Sequence, residues 1–505
     1  MTQAADRIFT NAEVHTLGDL HTLGDSDETH EAVAVRDGRI VRVDSEYEIG
    51  FLDGVDTDVV DCDGGVLLPG FIDAHTHMEI VGRRLVHADL AVADRETALD
   101  RLREAPSEAW ILGYGYDESA WGDDRYLTRE ELDEVSTALP VVAFREDLHT
   151  ASVNSVVLDR YGESLPEDGI EYDGDEPTGV VTEDAAEFLR METAPGRAET
   201  KRLVEAARDY AHARGVTGVH DMVRHSDAPA AYRALAVDDD LDLRVRLYYW
   251  ADHLDAVEET GLVTNHGGPF VEVGGIKTYT DGSLGAGTAK LSEPYTDREG
   301  TGEWVVDPEK LTDIADRADE FGLQLAVHAI GDEAIEVALD TLPEDPEMRH
   351  RIEHAELLPA DLEGFDAVAS MQPNFLRWAR EGGLYERRLG AERTAESNRF
   401  ADVLDADVPL AFGSDCMPLD PLFGVQQAVT APEEGQRLSV TEALETYTSG
   451  AAYAGHDEDR FGTVEVGKRA DFAVLESSPW EVADEEIADI DVSMTVVDGE
   501  VVYWG

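Results

Sequence analysis

Apolar positions change their rhythm twice along the chain. In the first 70 residues they come in short runs, Ala32 to Val35, Ile40 to Val43 and Val59 to Asp61, separated by Asp37-Gly38 and Asp63-Gly64. Runs of this length bounded by Asp-Gly turns predict small strands joined as hairpins. The same texture returns at the far end, in Ala470 to Leu475 and Val492 to Val497, followed by Asp498-Gly499 and Val501 to Tyr503. The two ends therefore predict one β-domain built from both termini. Between them helical periodicity alternates with short apolar strands, the pattern of a parallel sheet with crossover helices.

One such unit shows the logic. Asp307 is placed to cap a helix, Pro308 fits its first position, Leu311, Ile314, Ala315 and Ala318 fall on one face, and Gly322 ends it before an apolar strand begins at Leu323. Strands of this kind after residue 70 are Phe71 to Ala74, Val216 to His220, Leu243 to Tyr249, Phe270 to Thr280, Leu323 to His328, His350 to His354, Ala367 to Gln372 and Pro409 to Asp415. Eight parallel strands with intervening helices predict an α/β protein with a (β/α)8 TIM barrel, whose chemistry sits at the C-terminal strand ends. About 140 residues separate the first two strands, more than a crossover needs. The predicted organisation is a composite β-sandwich from residues 1–68 and 455–505 and a barrel domain from 69–454. An inserted module, roughly residues 90–200, is expected over the barrel mouth.

Composition changes the picture in one respect. Hydrophobic residues make up 42% of the chain, enough for a sizeable core, yet 110 Asp and Glu face 40 Lys and Arg, a formal net charge of −70. That balance excludes nucleic acid and anionic membrane as default partners. The only lysines are Lys201, Lys277, Lys290, Lys310 and Lys468, so the cations are nearly all arginine. An acidic, lysine-poor surface points to a halophilic protein adapted to molar salt, where a Debye length of about 3 Å screens the carboxylates from one another. Cys62 and Cys416 lie far apart and make no disulfide framework. With no signal-peptide pattern at the start and no run of 18 apolar residues, the expected setting is the cytoplasm.

The candidate chemistry gathers at strand ends. Leu68-Pro-Gly-Phe-Ile-Asp-Ala-His75-Thr-His77 is an apolar strand ending in His-x-His, and alternation puts both imidazoles on one side, within reach of one metal ion. Alone this pattern is weak. His328 after Leu-Gln-Leu-Ala-Val, His354 in Arg-Ile-Glu-His and Asp415 in Phe-Gly-Ser-Asp end three other predicted strands, and such convergence on one rim favours a metal site. Arg351 and Glu353 alternate around the strand of His354, where they are placed to pair behind it. Asp332 reads as a helix cap and Cys416 as a small buried thiol. His220 ends a predicted strand with no clear ligand role and is at most pocket lining. Tyr116 and Trp121 are candidates to line a substrate pocket, although aromatic residues at that spacing also suit a core.

With Gly274 to Leu284, His328-Ala-Ile-Gly-Asp332, Arg351-Ile-Glu-His354, Gly413-Ser-Asp415 and Gly467-Lys-Arg-Ala-Asp471, the sequence resembles the amidohydrolase superfamily of metal-dependent hydrolases over nearly its whole length. Its branch resembles the one that contains N-substituted formamide deformylases. The resemblance implies that His75 and His77 bind one divalent metal, His328 and His354 a second, and that Lys277 bridges them as a carbamate formed with carbon dioxide. Asp415 would complete the first site and serve as the catalytic base. Such a carbamate needs a neutral amine, which burial of lysine favours, and Lys277 lies in the otherwise uncharged stretch Val273 to Tyr279. The alternative for Lys277 is an ion pair with Asp281 or another carboxylate. Imidazole with carboxylate oxygen suits zinc, as one or two ions. His149 matches a stretch this branch carries in its inserted module and is a candidate substrate contact.

The reaction implied is hydrolysis of a non-peptide carbon–nitrogen bond in a small N-acyl or N-formyl amine. A homodimer is implied by analogy only. Two alternatives stay open: a mononuclear deaminase of a heterocycle, for which Glu333 lies later than the usual proton shuttle, and a catalytically silent binding protein on the same barrel.

Overall fold

All eight apolar runs after residue 70 form strands of one parallel sheet: β1 (Phe71–Thr76), β2 (Val216–Val223), β3 (Arg244–Trp250), β4 (Val271–Tyr279), β5 (Gln324–Ala329), β6 (Arg351–His354), β7 (Val368–Met371) and β8 (Leu410–Phe412). They appear in a computed structural model that describes residues 3–18, 27–105, 109–118, 121–122, 125–146, 150–343 and 345–505. Each strand pairs with the next in chain order, β1 to β8. The barrel closes just past β8, where the amides of Ser414 and Asp415 donate to the carbonyl of His75 at 3.1 and 2.7 Å. A Cβ at Gly413 would lie 2.4 Å from the His75 nitrogen, so glycine is what lets the last strand reach the first.

The helix predicted after Asp307 forms as α1 (Pro308–Glu320), burying Leu311, Ile314, Ala315 and Ala318. Gly322, at φ +65°, releases the chain into β5. Asp307 precedes the helix without a side-chain capping bond, so proline at the first position and the apolar face define this start.

The two ends of the chain share a sheet. Its order is Glu500–Trp504, Val492–Val497, Phe472–Leu475, Val66–Pro69, Glu13–His15 and Thr29–His30, with the amino-terminal strand Val66–Pro69 antiparallel to Phe472–Leu475. A second, four-stranded sheet (Arg39–Asp44, Ala32–Arg36, Arg7–Thr10, Asp58–Asp61) packs on it through Phe9, Val33, Leu67, Phe472, Val474 and Val496. This is a β-sandwich that neither terminus can build alone. Val66–Pro69 runs through Gly70 straight into β1, so the segment that completes the sandwich also delivers the His-x-His to the barrel rim.

His15 in this sandwich is stacked on Trp480, 4.0 Å between ring centroids, with Nδ1 2.5 Å from Asp27 and Nε2 3.1 Å from Glu13. Burial disfavours the imidazolium, yet the two carboxylates more than offset it and raise the His15 pKa above the usual value of about 6.5. A raised folded-state value contributes stability fully below the unfolded pKa, and that contribution fades as pH rises through the folded one. Thermal melts between pH 6 and 9 are therefore expected to show declining stability on the alkaline side, with a shallower decline in His15→Gln. Equal slopes for both proteins would remove His15 from the account.

The chain divides into two compact units, Met1–His77 with Arg208–Gly505, and Met78–Ala207. The second unit is built on a six-stranded mixed sheet with an apolar layer on each face. In its strand Ile111–Tyr116 a β-bulge at Gly115, φ +89°, shifts the register. Tyr114 and Tyr116, two residues apart, consequently enter opposite layers. Among the described residues, no helix is long and apolar enough to cross a membrane.

Candidate metal centre

Strand alternation carries His75 into the barrel, and the chain then turns His77 toward the same point. Both offer a ring nitrogen, with an Asp415 carboxylate oxygen, within 4.8 Å of one another. The Asp415 Oδ1 lies 3.2 Å from His77 Nε2 and 3.8 Å from His75 Nε2. A ring nitrogen bonded to an oxygen that can only accept must carry the proton, leaving the other nitrogen's lone pair for a metal. His77 Nδ1 donates to the Met222 carbonyl at 2.8 Å, which turns its Nε2 toward Asp415, and His75 Nδ1 donates to Glu353 Oε2 at 2.5 Å, so His75 presents Nε2.

His328 and His354 end β5 and β6, with ring centroids 4.5 Å apart, and His354 lies 4.9 Å from His75. His354 Nδ1 donates to Gln372 Oε1 at 2.7 Å and presents Nε2. His328 is the reverse: its Nε2 donates to the Gly282 carbonyl at 3.0 Å, so Nδ1 is left to bind. Asp281 fixes that arrangement. Its buried carboxylate accepts from the amides of Lys290, Ile330 and Gly331 at 2.7 to 3.1 Å and stands 3.5 Å from His328 Nε2. It thereby stitches the loops after β4 and β5 together around the imidazole.

Lys277 on β4 is 1% exposed, and its Nζ has no hydrogen-bond partner among the described residues. The ion pair with Asp281 does not form; Asp281 is committed to backbone amides, and the Lys277 ammonium instead lies 5.9 Å from the Trp250 ring. Burial pulls the Lys277 pKa down to about 8, against the pull of Glu353 and Asp415. Its charge acts on His75, His77, His328 and His354 alike, so the amine lies within electrostatic range of all four rings. Burial first, and Lys277 with neighbouring histidines next, push His75 and His354 well below the usual imidazole value, and His328 to about 3. His77 departs from this: burial opposes its charge, but the Asp415 bond and charge raise it. Imidazoles held neutral at His75, His328 and His354, with His77, a buried amine and a carboxylate beside them, suit divalent cations.

Two ligand positions are backbone outliers. His354 has φ +72° and Asp415 φ +48°, left-handed conformations that cost a side-chain-bearing residue roughly 1–3 kcal/mol. The Asp415 loop is held by its bond to the His75 carbonyl and by Asn374 Nδ2, which donates to the carbonyls of Ser414 and Met417 at 2.8 and 2.6 Å. Asp73 adds a clasp: its Oδ1 accepts from the amides of His75 and Ser414 at 3.1 and 3.0 Å, and burial raises its pKa to about 7.

The Arg351–Glu353 pair forms at 2.7 Å with both side chains fully buried, but it backs His75 across the barrel, not its neighbour His354. Alternation aims both side chains inward, where β1 is the strand facing them; the orienter of His354 is Gln372, at the end of β7. Replacing Glu353 by glutamine is expected to lower metal affinity about 10- to 100-fold, the range for such orienting groups. Competition with a chelator of known affinity measures it, and an unchanged dissociation constant would deny Glu353 this role.

His220 is buried, with its Nδ1 accepting from Arg351 Nη1 at 2.9 Å, and it lines a cavity together with Ile72, Thr217, Arg244 and Arg246. Tyr116 and Trp121 stack in the core of the second unit, 5.6 Å apart, with Tyr116 Oη against Ser152 at 3.0 Å and Trp121 Nε1 donating to the Val92 carbonyl at 2.9 Å. His149 lies outside the described residues. Asp332 is the first residue of its helix, which Gly331 caps, and its carboxylate holds Ser292. Glu333 is paired with Lys290 at 2.8 Å, which occupies the group a deaminase would need as a shuttle.

Comparison with known proteins agrees with this arrangement. A model of the amidohydrolase family matches residues 58–503. The chain belongs to the amidohydrolase family. It is 31% identical to the putative amidohydrolase YtcJ of Bacillus subtilis over 94% of this chain and 96% of that one. With the N-substituted formamide deformylase of Arthrobacter pascens it shares 28% identity over 100% of this chain and 99% of the relative. Among solved structures, an uncharacterized metal-dependent hydrolase from Pyrococcus furiosus superposes with a TM-score of 0.79 at 30% identity, covering 94% of this chain and all of that one. Membership makes the protein a hydrolase of carbon–nitrogen bonds that depends on a divalent metal.

Proposed function

We propose that this amidohydrolase cleaves the amide bond of a small N-acyl or N-formyl amine at a zinc centre of two ions held by His75, His77, Lys277 as its carbamate, His328, His354 and Asp415. The observation that carries the reading is the Lys277 amine, buried without a hydrogen-bond partner among the described residues and with its charge acting on four imidazoles. An amine so placed is costly unless it is neutral or converted to something the site can use, and a carbamate supplies two oxygens to such a set. The N-substituted formamide deformylase among the relatives supports the N-formyl amine class.

When bound, divalent cations supply Lewis acidity that polarises a carbonyl and makes water acidic near neutral pH. The chain's own residues do the rest. Asp415, held by its strained loop beside His77, is placed to orient a water, accept its proton as the oxygen attacks the carbonyl carbon, and return that proton to the departing nitrogen. Glu353 and Gln372 keep their histidines in the tautomer that presents Nε2, and Gly282 keeps His328 presenting Nδ1. The test is a panel of N-formyl and N-acyl amines, assayed before and after chelation and again after restoring zinc with bicarbonate. Hydrolysis that disappears and returns is the expected result; hydrolysis indifferent to chelation, or none of any amide, would overturn the reading.

A further inference from the structure

Two residues past His354, the Glu356 carboxyl is 2% exposed and forms no ion pair with Lys, Arg or His among the described residues. Tyr385 and Asn398 stand next to it, while its Oε2 and the Asn398 Oδ1 have no partner among the described residues. With Glu356 ionised both orphaned atoms are acceptors, so what completes them is a donor. An aromatic wall links this spot to the metal-site residues: His354 stacks on Phe375 (6.1 Å), Phe375 meets Trp378 (5.1 Å), and Trp378 leans on Tyr385 (6.4 Å). The carboxylates of Asp281 and Asp415 are close enough for their charge to act on Glu356. A buried acid without a cation, next to aromatic faces and among other acids, is the complement of an ammonium group.

Resting on the amide-hydrolase reading, we infer that Glu356 anchors a positively charged amine group of the substrate, so that the preferred amides are cationic ones. The rival is an anionic substrate held by an arginine. Arg224, stacked 5.4 Å from Trp250, already pairs with Asp252 at 2.9 Å, and Arg377 lies against Trp378 at 4.3 Å. Both lie on aromatic surface, whereas Glu356 Oε2 is a buried acceptor without a partner among the described residues, which favours the cation.

The experiment is calorimetric binding of three similar-sized probes, 2-phenylethylammonium, 2-phenylethanol and phenylacetate, to the metal-loaded protein in molar potassium chloride. The ammonium is expected to bind about tenfold or more tightly than the alcohol, and phenylacetate most weakly. Glu356→Gln should abolish the preference while leaving the alcohol's affinity in place. Should that variant not fold, Glu356→Asp, which draws the carboxylate back by one methylene, is expected to diminish the preference. Equal affinities in the native protein, tighter phenylacetate, or a preference that survives both substitutions would overturn the assignment. The two readings fail separately: neutral amides hydrolysed without an ammonium preference would sink Glu356 alone, and ammonium preference without hydrolysis would sink the amidase alone.

Discussion

Lys277→Ala is expected to cut metal content from near two equivalents per chain to one or fewer, and to lower kcat/KM by at least about 100-fold. The lower bound comes from orienting groups, whose loss costs roughly 10- to 100-fold; a bridging ligand should cost more. The substitution removes a buried amine that has no hydrogen-bond partner among the described residues, and with it any oxygen bridge. Carbamate formation needs the neutral amine, and a pKa drawn down to about 8 by burial leaves part of the population neutral near pH 7. Metal occupancy of the native protein should accordingly rise with bicarbonate supplied during reconstitution, whereas that of Lys277→Ala should not respond. Lys277→Glu, which restores a carboxylate at shorter reach, should retain more metal than the alanine variant. Plasma mass spectrometry of the three proteins reads all of this. Full occupancy and activity in Lys277→Ala would sink the bridge.

Much of this site was legible because it depends on strand arithmetic. An apolar strand ending in His-x-His, and further strands ending in His328, His354 and Asp415, need only period two and an eight-strand count to meet on one rim. Lys277 stood out against a run of uncharged neighbours. What stayed hidden depends on which strand faces which. Alternation tells that Glu353 points inward; it does not tell that β1 lies opposite, so that Glu353 serves His75. Likewise the Gly282 carbonyl that turns His328 around belongs to a loop whose path no periodicity describes. Asp73, a charged residue inside an apolar strand, and Asp281, at the end of another, did carry a sequence signal for their clasps. Tyr116 and Trp121 read as equally suited to a pocket or a core, and the bulge at Gly115 sends Tyr116 to the core.

Lowering the salt from 2 M to 0.1 M potassium chloride is expected to lower the melting temperature by more than about 10 °C, with loss of activity that follows the loss of fold. If every cationic side chain paired with one carboxylate, 70 carboxylates would still lack a partner. The strongest pairs are spent inside the protein: Arg351 with Glu353, Arg246 with Asp457 and Glu272, Arg244 with Asp471 and Asp498. Being buried, these are little affected by salt. Most of the remaining acids lie at the surface, in excess over its cations. At 2 M salt the screening length is below about 3 Å and their repulsion is local; at 0.1 M it is about 10 Å and spans many neighbours, so the compact state is opposed by its own charge. Two mechanisms make different demands on the experiment. If screening dominates, choline chloride should protect as well as potassium chloride; if preferential exclusion dominates, sucrose should protect and choline chloride should do so less. Circular-dichroism melts in the three solutes decide between them, and a melting temperature that ignores potassium chloride altogether would show that the acidic surface imposes no dependence on salt.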